Sequence, residues 1–360
     1  MNLVDIIREV QKLDDMSQQR LLSYLQNALE HTINGKEPLL TEIAERKSER
    51  GFSCPHCHNA NAVRFGKYQT TVGTKTVIRQ RYKCKDCSKT FTDLTNTPLN
   101  RTRKLDKWLK FIECMIEGYS LRKSAELIGE ITWVTLFYWR HKILSSLEQI
   151  PTEGFSGIVE MDETYFLYSE KGKRNITDRE PRERGGTSDK RGISYDQVCV
   201  LVARDRQKIT LSSVLGKGRI VKKRLDKKIG TLLSKDNILC TDSWRAFSSY
   251  AKEKKVEHYR FKSDGKIRVI KGIYHIQNVN NYHSRLKRWM NRFNGVASKY
   301  LEHYLAWFRF LETLGFSQSV KNIKGMLITS CLFPVQETNK ALRKSTFHPI
   351  SVTALEDLMN

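Results

Sequence analysis

Apolar positions recur with helical spacing at two places in the N-terminal part of the chain. Residues 1–35 predict two short helices, the second capped by Ser17. Their apolar stripes favour a small packing element, and a dimerisation role is the alternative. Residues 105–147 predict three more helices, because the helical spacing there is interrupted at Gly118 and Gly129.

Strand-like patterns fill most of the remaining chain. Residues alternate between β-branched and polar over NAVRFGKYQTTV and TKTVIRQRYKC, which predicts a β-hairpin. Further along, buried-strand runs alternate with amphipathic segments in the order expected of an α/β domain of the ribonuclease H type. The predicted strands are 157–166, 197–205, 207–216 and 237–242, with strand-like HYRF and IRVIKG, and the predicted helices are 217–230, 243–256, 280–293 and 298–315.

These elements predict a multidomain protein in which small N-terminal modules precede an α/β ribonuclease H-like core. The predicted parts are N-terminal helices (1–48), a small β zinc ribbon (49–97), an α-helical helix-turn-helix domain (98–152), the core (153–320) and a loosely structured C-terminal tail (321–360).

Composition indicates the partner. Of the 360 residues, 39% are hydrophobic and 10% aromatic, so a folded protein is expected. The net charge of +24 favours nucleic acid, because Lys and Arg neutralise phosphates and release counterions. An anionic membrane surface is the weaker option, and the longest apolar patch, GMLITSCLF, is too short to span a bilayer. The N-terminus carries no secretory signal, so a cytoplasmic location is expected.

Cysteines indicate a metal site. Four of the eight cysteines form two CxxC pairs, CPHC and CKDC, which flank the predicted hairpin: Cys54, Cys57, Cys84 and Cys87. Four thiolates suit tetrahedral Zn²⁺ and leave no open position, so the site is predicted to be structural. Unliganded or disulfide-bonded cysteines are the alternative, and His56 and His58 are expected at the surface. The ribbon is basic, which is typical of a DNA contact or of a charged face without a partner.

The segment SLRKSAELIGEITWVTLFYWRHKI has helix-turn-helix form, and its second helix is the candidate reader of a DNA major groove. An ordinary three-helix packing unit is the alternative. The side chains predicted to contact DNA are Thr132, Trp133, Thr135, Tyr138 and Arg140.

Two aspartates stand at the ends of predicted strands. Asp162 is placed at the end of the first strand of the core, and Asp242 just after a later strand expected to lie beside it. Paired carboxylates of this kind hold Mg²⁺, with Mn²⁺ as a substitute, and leave positions for substrate phosphates. A single strand-end Asp is more often a turn or cap residue, but the pair favours a metal site. Strand alternation is taken to turn Glu160 and Glu163 to the other face.

The stretch NVNNYHSRLKRWMNRF predicts a helix with one polar and one apolar face. The polar face carries Asn280, His283, Ser284, Lys287 and Asn291. Asn280 can offer a neutral oxygen to Mg²⁺, and Lys287 can contact a DNA phosphate. From the residues alone, a solvated basic face remains the alternative.

In this order, the CPHC…CKDC ribbon, SLRKSAELIG, EMDETY, CTD and NVNNYHSRLKRWMNRFNGVASKYLEHYLAWFRF resemble the ISXO2-like bacterial insertion-sequence transposases, over about residues 50–315. The resemblance implies a ribonuclease H-like core with a DD(E/N)K signature. Its positions match Asp162, Asp242, Asn280 and Lys287, with Asn where Glu is the other choice.

The resemblance also implies a function. The chain is expected to bind the terminal inverted repeats of an insertion sequence, to cut the strand at the element's end and to join the freed 3′-hydroxyl to target DNA, in a Mg²⁺-dependent reaction. Its partners would be double-stranded DNA and a second copy on paired ends, in the nucleoid of a bacterial cytoplasm. A DNA-binding derivative that has lost catalysis, and a ribonuclease H-like nuclease, are the alternatives.

Overall fold

The structure is a computed structural model that describes residues 9–33, 36–51, 53–72, 75–102, 104–177, 179–180, 186, 188, 190–262, 267–335 and 338–347. The chain divides into two compact units, residues 1–146 with 314–336 and residues 147–313 with 337–360. In chain order the elements are α1 (Asp15–Ile33), α2 (Lys36–Glu49), β1 (Ala62–Val72), β2 (Lys75–Cys84), β3 (Thr90–Phe91), α3 (Trp108–Glu117), α4 (Leu121–Ile128), α5 (Trp133–Glu148), β4 (Ile158–Leu167), β5 (Gln197–Asp205), β6 (Thr210–Lys217), α6 (Lys222–Ile229), β7 (Ile238–Asp242), α7 (Arg245–Lys254), β8 (Glu257–Phe261), α8 (Gln277–Asn291), α9 (Leu301–Leu314), α10 (Val320–Leu332) and α11 (Asn339–Lys344).

The first unit contains the predicted N-terminal helices and the predicted hairpin. β1 and β2 pair antiparallel from Ala62–Cys84 to Val72–Lys75, and β3 adds a short third strand to β2. The second helix starts one turn earlier than its apolar pattern indicates. Asp14, rather than Ser17, caps α1, since its carboxylate accepts from the Ser17 backbone N–H at 2.9 Å. The apolar positions of the first predicted helix that precede residue 9 lie outside the described residues.

The prediction of a loosely structured tail after residue 320 is wrong for its first part. Residues 320–332 form α10, which Ser319 caps by accepting from the Asn322 N–H at 3.2 Å. Val320, Ile323 and Leu327 recur with helical spacing and are buried, and α10 packs against α2 and α3. Residues 348–360 of the predicted tail lie outside the described residues.

The second unit is built on a five-stranded sheet in the order β6-β5-β4-β7-β8. β4, β5 and β6 are antiparallel neighbours, whereas β7 and β8 run parallel to β4 and to each other. This strand order and polarity are those of the ribonuclease H fold, as the sequence predicts. β5 is buried over nearly its whole length because helices cover both faces of the sheet.

The two faces of this sheet have different roles. Val159 and Met161 of β4 face one hydrophobic core, in which Leu225 of α6 and Phe247 of α7 pack on the sheet. α8 and α9 cover the other face, where the Tyr282 hydroxyl donates to Ser212 Oγ of β6 at 3.2 Å. Glu160 and Asp162 point to this second face, and α8 lies over them.

Two further outcomes concern the segment before α8 and the membrane. IRVIKG is not a strand; within it only Ile270 forms a bridge, with Tyr274, which closes a turn at residues 271–273. In the described part of the chain, none of the helices combines the length and apolar character that a membrane crossing requires.

Candidate active site and metal centres

Three carboxylates meet where β7 ends. The parallel pairing of β4 with β7 stops at Met161–Thr241, so Asp162 and Glu163 lie just beyond it, beside Asp242 at the end of β7. One carboxylate oxygen from each of Asp162, Glu163 and Asp242 lies within 4.8 Å of the others. The two aspartates that the sequence pairs are therefore brought together, with a third acid beside them.

The prediction that alternation removes Glu163 from the site is wrong. Its side chain leaves β4 on the face of Tyr165, whose hydroxyl donates to Glu163 Oε1 at 3.4 Å. Because β7 ends at Asp242, none of the strands in the described residues pairs with that edge of β4 beyond Met161, and a flexible side chain from either face can reach it. Asp162 and Glu163 lie in the middle of β4, and not at its end as predicted for Asp162; what ends beside them is the pairing with β7.

The prediction for Glu160 is also wrong, because residues two apart on a strand share a face. Glu160 lies on the face of Asp162 and is fully buried. Its Oε2 accepts from the backbone N–H groups of Asn278 and Val279, at 2.8 and 3.1 Å, and its Oε1 accepts from Asn278 Nδ2 at 2.8 Å. Arg206 pairs with the same carboxylate at 2.6 Å. Glu160 therefore fastens the start of α8 to β4 and has no oxygen left for the acidic cluster.

The acids of the cluster hold their protons tightly. Burial, followed by the nearby Asp242 charge, raises the pKa of Asp162 to about 7. Burial and then the Asp162 and Asp242 charges raise the pKa of Glu163 to about 8, and burial raises the pKa of Asp242. Three carboxylates this close repel one another when ionised, and a divalent cation bound between them would relieve that repulsion. The donor set is all oxygen, which suits Mg²⁺ or Mn²⁺.

α8 brings two of its side chains to the cluster. The Lys287 charge lowers the pKa of Asp162, opposing the larger effect of burial, so Lys287 is electrostatically coupled to the site. His283 Nδ1 lies 3.8 Å from Asp162 Oδ2. His283 is buried, and its pKa falls to about 4 through burial and the Lys287 charge, so the ring is neutral at pH 7. Its helical spacing from Asn280 and Lys287 is the sequence signal for it.

Asn280 differs from its neighbours on α8. Its side chain is exposed, and in the described part of the chain it makes no hydrogen bond to the three carboxylates. The carboxylates of the cluster come from β4 and β7 alone.

Comparison with known proteins identifies this unit. Residues 154–313 match the family model described as the ISXO2-like transposase domain. Residues 154–313 are therefore similar to ISXO2-like transposase domains. The family resemblance inferred from the sequence is thereby confirmed, and the matched segment contains the acidic cluster and all of α8.

Relatives of the transposase domain are distant. An uncharacterised protein in transposable element ISH50 of Halobacterium salinarum is 25% identical over 290 residues, covering 76% of this chain and 92% of that protein. A pre-cleavage Mos1 transpososome matches with 7% identity and a TM-score of 0.23, covering 61% of this chain and 77% of that one. A Drosophila P element transposase strand transfer complex matches with 11% identity and a TM-score of 0.27, covering 56% of each chain. The strand order β6-β5-β4-β7-β8, and not these matches, identifies the ribonuclease H fold.

N-terminal to the transposase domain, the four predicted zinc ligands meet. All four are free thiols, and their sulfurs lie within 4.8 Å of one another. Two sulfur pairs, Cys54–Cys87 and Cys57–Cys84, are 3.6 Å apart. Tetrahedral Zn²⁺ with bonds of about 2.3 Å separates its sulfurs by about 3.8 Å, so the cluster fits zinc.

The two CxxC turns share one backbone geometry. The Cys54 N–H donates to the Asn59 carbonyl at 2.8 Å, and the Cys84 N–H donates to the Lys89 carbonyl at 3.0 Å. The residue after the second cysteine, His58 or Ser88, is left-handed in both turns. A repeated turn that aims two sulfurs at one point is the arrangement of a zinc ribbon.

The side chains predicted to contact DNA differ in how exposed they are. α4 and α5 are joined through Gly129 and Glu130, both left-handed, and Thr132, Trp133 and Thr135 at the start of α5 are exposed. Tyr138 is half-buried. Arg140 is buried and its Nη2 donates to the Tyr119 carbonyl at 3.3 Å, so the prediction that it contacts DNA is wrong. The helical period carries residues 136, 139 and 140 to the packed side.

Proposed function

We propose that this chain is a DNA transposase that cuts and joins DNA at the ends of an insertion sequence. The observation that carries the proposal is the cluster of Asp162, Glu163 and Asp242 at the end of β7, inside an ISXO2-like transposase domain. A +24 chain with such a site fits a phosphodiester substrate in DNA.

The cluster would hold one or two divalent cations through its three carboxylates, with substrate phosphate oxygens completing the shell. When bound, Mg²⁺ or Mn²⁺ activates the attacking hydroxyl and stabilises the leaving oxygen of an in-line phosphoryl transfer. Glu163 supplies the third negative charge that Asn280 lacks, so a neutral Asn280 is compatible with activity. Asn280 stays a prediction as a metal ligand.

The polar face of α8 would handle the DNA strand beside the metals. Lys287 is exposed and its charge is felt at Asp162, which suits a contact with the phosphate next to the scissile one. His283, neutral and 3.8 Å from Asp162, is the buried neighbour of that carboxylate on the same helix.

The remaining units would recognise the DNA. The basic zinc ribbon and the exposed N-terminal turn of α5, with Thr132, Trp133 and Thr135, would bind terminal inverted repeats. Two copies of the chain would pair the two ends before cleavage.

The test uses duplexes taken from both ends of the element that carries the gene, labelled at the 3′ strand, with Mg²⁺ or Mn²⁺. We expect Asp162→Asn and Asp242→Asn to bind these duplexes but not to cut them. We expect Glu163→Gln to lose about a hundredfold or more of cleavage, as for loss of a charged metal ligand, and Asn280→Ala to lose less.

The matched control is Asp236→Asn, which neutralises an exposed aspartate outside the cluster. It should cut like the parent protein. Cleavage by Asp162→Asn or Asp242→Asn at the parent rate would refute the proposal, and cutting without joining to target DNA would identify a nuclease.

The neutral, exposed Asn280 favours a second candidate, a DNA-binding derivative without catalysis. In that case the parent protein would bind the ends and cut nothing with either metal, and Asn280→Glu would be the variant to restore cleavage.

A further inference from the structure

The described residues between β8 and α8 include a turn with exposed apolar side chains. Residues 267–274, here called the 267–274 turn, close through two backbone hydrogen bonds between Ile270 and Tyr274, of 2.9 and 3.0 Å. Ile267, Val269 and Ile273 are 62%, 40% and 55% exposed. Three large aliphatic side chains in contact with water on one short turn indicate a binding surface.

Side chains from the transposase domain hold the turn in place. The Tyr274 ring stacks on Tyr259 of β8, with centroids 3.8 Å apart and planes at 11°. Lys271 Nζ donates to the Tyr259 hydroxyl at 3.0 Å, and Arg206 Nη2 donates to the Ile273 carbonyl at 2.9 Å. The backbone of the turn is therefore held against the sheet, while its aliphatic side chains remain exposed.

The position of the turn relates it to the acidic cluster. β8 ends at Phe261, whose register partner on β7 is Asp242. The chain then passes through the turn and enters α8, which carries His283 and Lys287 to Asp162. The turn thus connects two elements of the site, and Tyr259, on which it stacks, lies two residues before the Phe261–Asp242 pair along β8.

The charge around the turn selects a polyanion. Exposed cations flank the aliphatic groups, and among the described residues 257–262 and 267–276 the acid is Glu257, which accepts from the Tyr259 hydroxyl at 2.7 Å. The cations are Arg260, Lys262, Arg268 and Lys271. A second copy of this basic surface would repel the first, whereas duplex DNA offers phosphates to the cations and stacked bases to the aliphatic groups.

We propose that the 267–274 turn contacts duplex DNA beside the cleaved phosphate and inserts its aliphatic side chains against the bases, unstacking one step. The proposal rests on the proposed function and adds a residue set to it. Apolar wedges flanked by cations unstack a base step and bend the duplex, which exposes the strand to a neighbouring site. The turn would in this way open the junction between element and flank for the acidic cluster.

The experiment uses the full chain, Ca²⁺ in place of Mg²⁺ to prevent cutting, and end duplexes with 2-aminopurine at successive positions across the junction. With the parent protein we expect fluorescence to rise at one step next to the cleavage point. The triple variant Ile267→Ser, Val269→Ser, Ile273→Ser should lose that rise and, with Mg²⁺, cut intact duplex at least about tenfold more slowly.

Two controls separate the wedge from folding and from catalysis. The triple variant Ile267→Leu, Val269→Leu, Ile273→Leu keeps the aliphatic surface and should keep the fluorescence rise. Because the side chains are exposed, both triple variants should melt within a few degrees of the parent protein. A duplex already mismatched at the junction should restore cutting to the serine variant, since its step is open beforehand.

Parent-like fluorescence and cutting by the serine variant would overturn the inference while leaving the proposed function intact. Dimers of the DNA-free parent protein that become monomers in the serine variant would also overturn it, because a second copy would then cover the turn. If the parent protein cuts no DNA yet shows the fluorescence rise, the proposed function fails and the DNA contact stands.

Discussion

Replacing Glu160 by Ala tests how α8 is held over the acidic cluster. The first N–H groups of a helix have no partner within the helix, and Ile276, at the N-cap of α8, has no side chain that could accept from them. Glu160 of β4 accepts from two of them instead, at 2.8 and 3.1 Å, and pairs with Arg206 at 2.6 Å. The variant removes all of these contacts at once.

The magnitude follows from burial. The Glu160 side chain is 1% exposed, so its hydrogen bonds and ion pair are little screened by water. Breaking such a set leaves buried donors without an acceptor, which costs about 3–5 kcal/mol. The exposed pair Lys222–Glu253, with side chains 42% and 49% exposed, should contribute only about 0–1 kcal/mol, so Glu253→Ala is the matched control.

The assay is hydrogen exchange of the Asn278 and Val279 amides together with urea unfolding. At about 1.4 kcal/mol per factor of ten, these two amides should exchange roughly 150- to 4,000-fold faster in Glu160→Ala. Glu160→Gln keeps one acceptor oxygen and should fall between. Cleavage should drop in the same order, since α8 carries Lys287 and His283. Unchanged exchange and an unfolding free energy within about 1 kcal/mol of the parent value would refute this account of α8.

Three further predictions follow from the two metal centres and from α5. Because the folded pKa of Asp162 is about 7 against an ordinary 3.8, the folded state holds a proton that the unfolded state releases; without divalent metal, stability should fall as pH rises from about 4 to 7. At pH 8 in EDTA, Asp162→Asn should then be more stable than the parent protein by on the order of 2–4 kcal/mol. Adding Mg²⁺ or Mn²⁺ should reduce this difference in stability. An equal Tm for the two proteins in EDTA would contradict the prediction. Cys57→Ser should abolish bound zinc in elemental analysis and unfold the ribbon. The control Cys114→Ala, at a buried lone cysteine, should keep one zinc per chain. Zinc retained by Cys57→Ser would exclude this site. Trp133→Ala should weaken binding of end DNA by roughly 1–3 kcal/mol in a gel-shift titration. Arg140→Gln, at the buried arginine, should bind end DNA as the parent protein does once folded. Weaker binding by Arg140→Gln than by Trp133→Ala would contradict the exposure of these side chains on α5.

Much of this protein could be read from the order of residues alone, because the signals are local. Two CxxC turns at either end of a hairpin predict a four-thiolate cluster, since each turn by itself aims two sulfurs. The order of strands and helices predicts the ribonuclease H-type sheet, and strand ends predict that Asp162 and Asp242 meet. Helical spacing places Lys287 on one face of α8 with His283.

Only the tertiary structure decided what each acid next to Asp162 does. Glu163 joins the cluster because β7 stops at Asp242 and leaves the edge of β4 open, and a strand's length relative to its neighbour is not a local property. Glu160 is withdrawn from the cluster because α8 presents unpaired N–H groups to it, and the first of these, that of Asn278, lies 118 residues later in the chain. Arg140 is buried for a tertiary reason too, because burial depends on which distant element packs against a side chain, whereas periodicity records only that one face of a helix is apolar. For α10 the signal was local, since Val320, Ile323 and Leu327 recur with helical spacing.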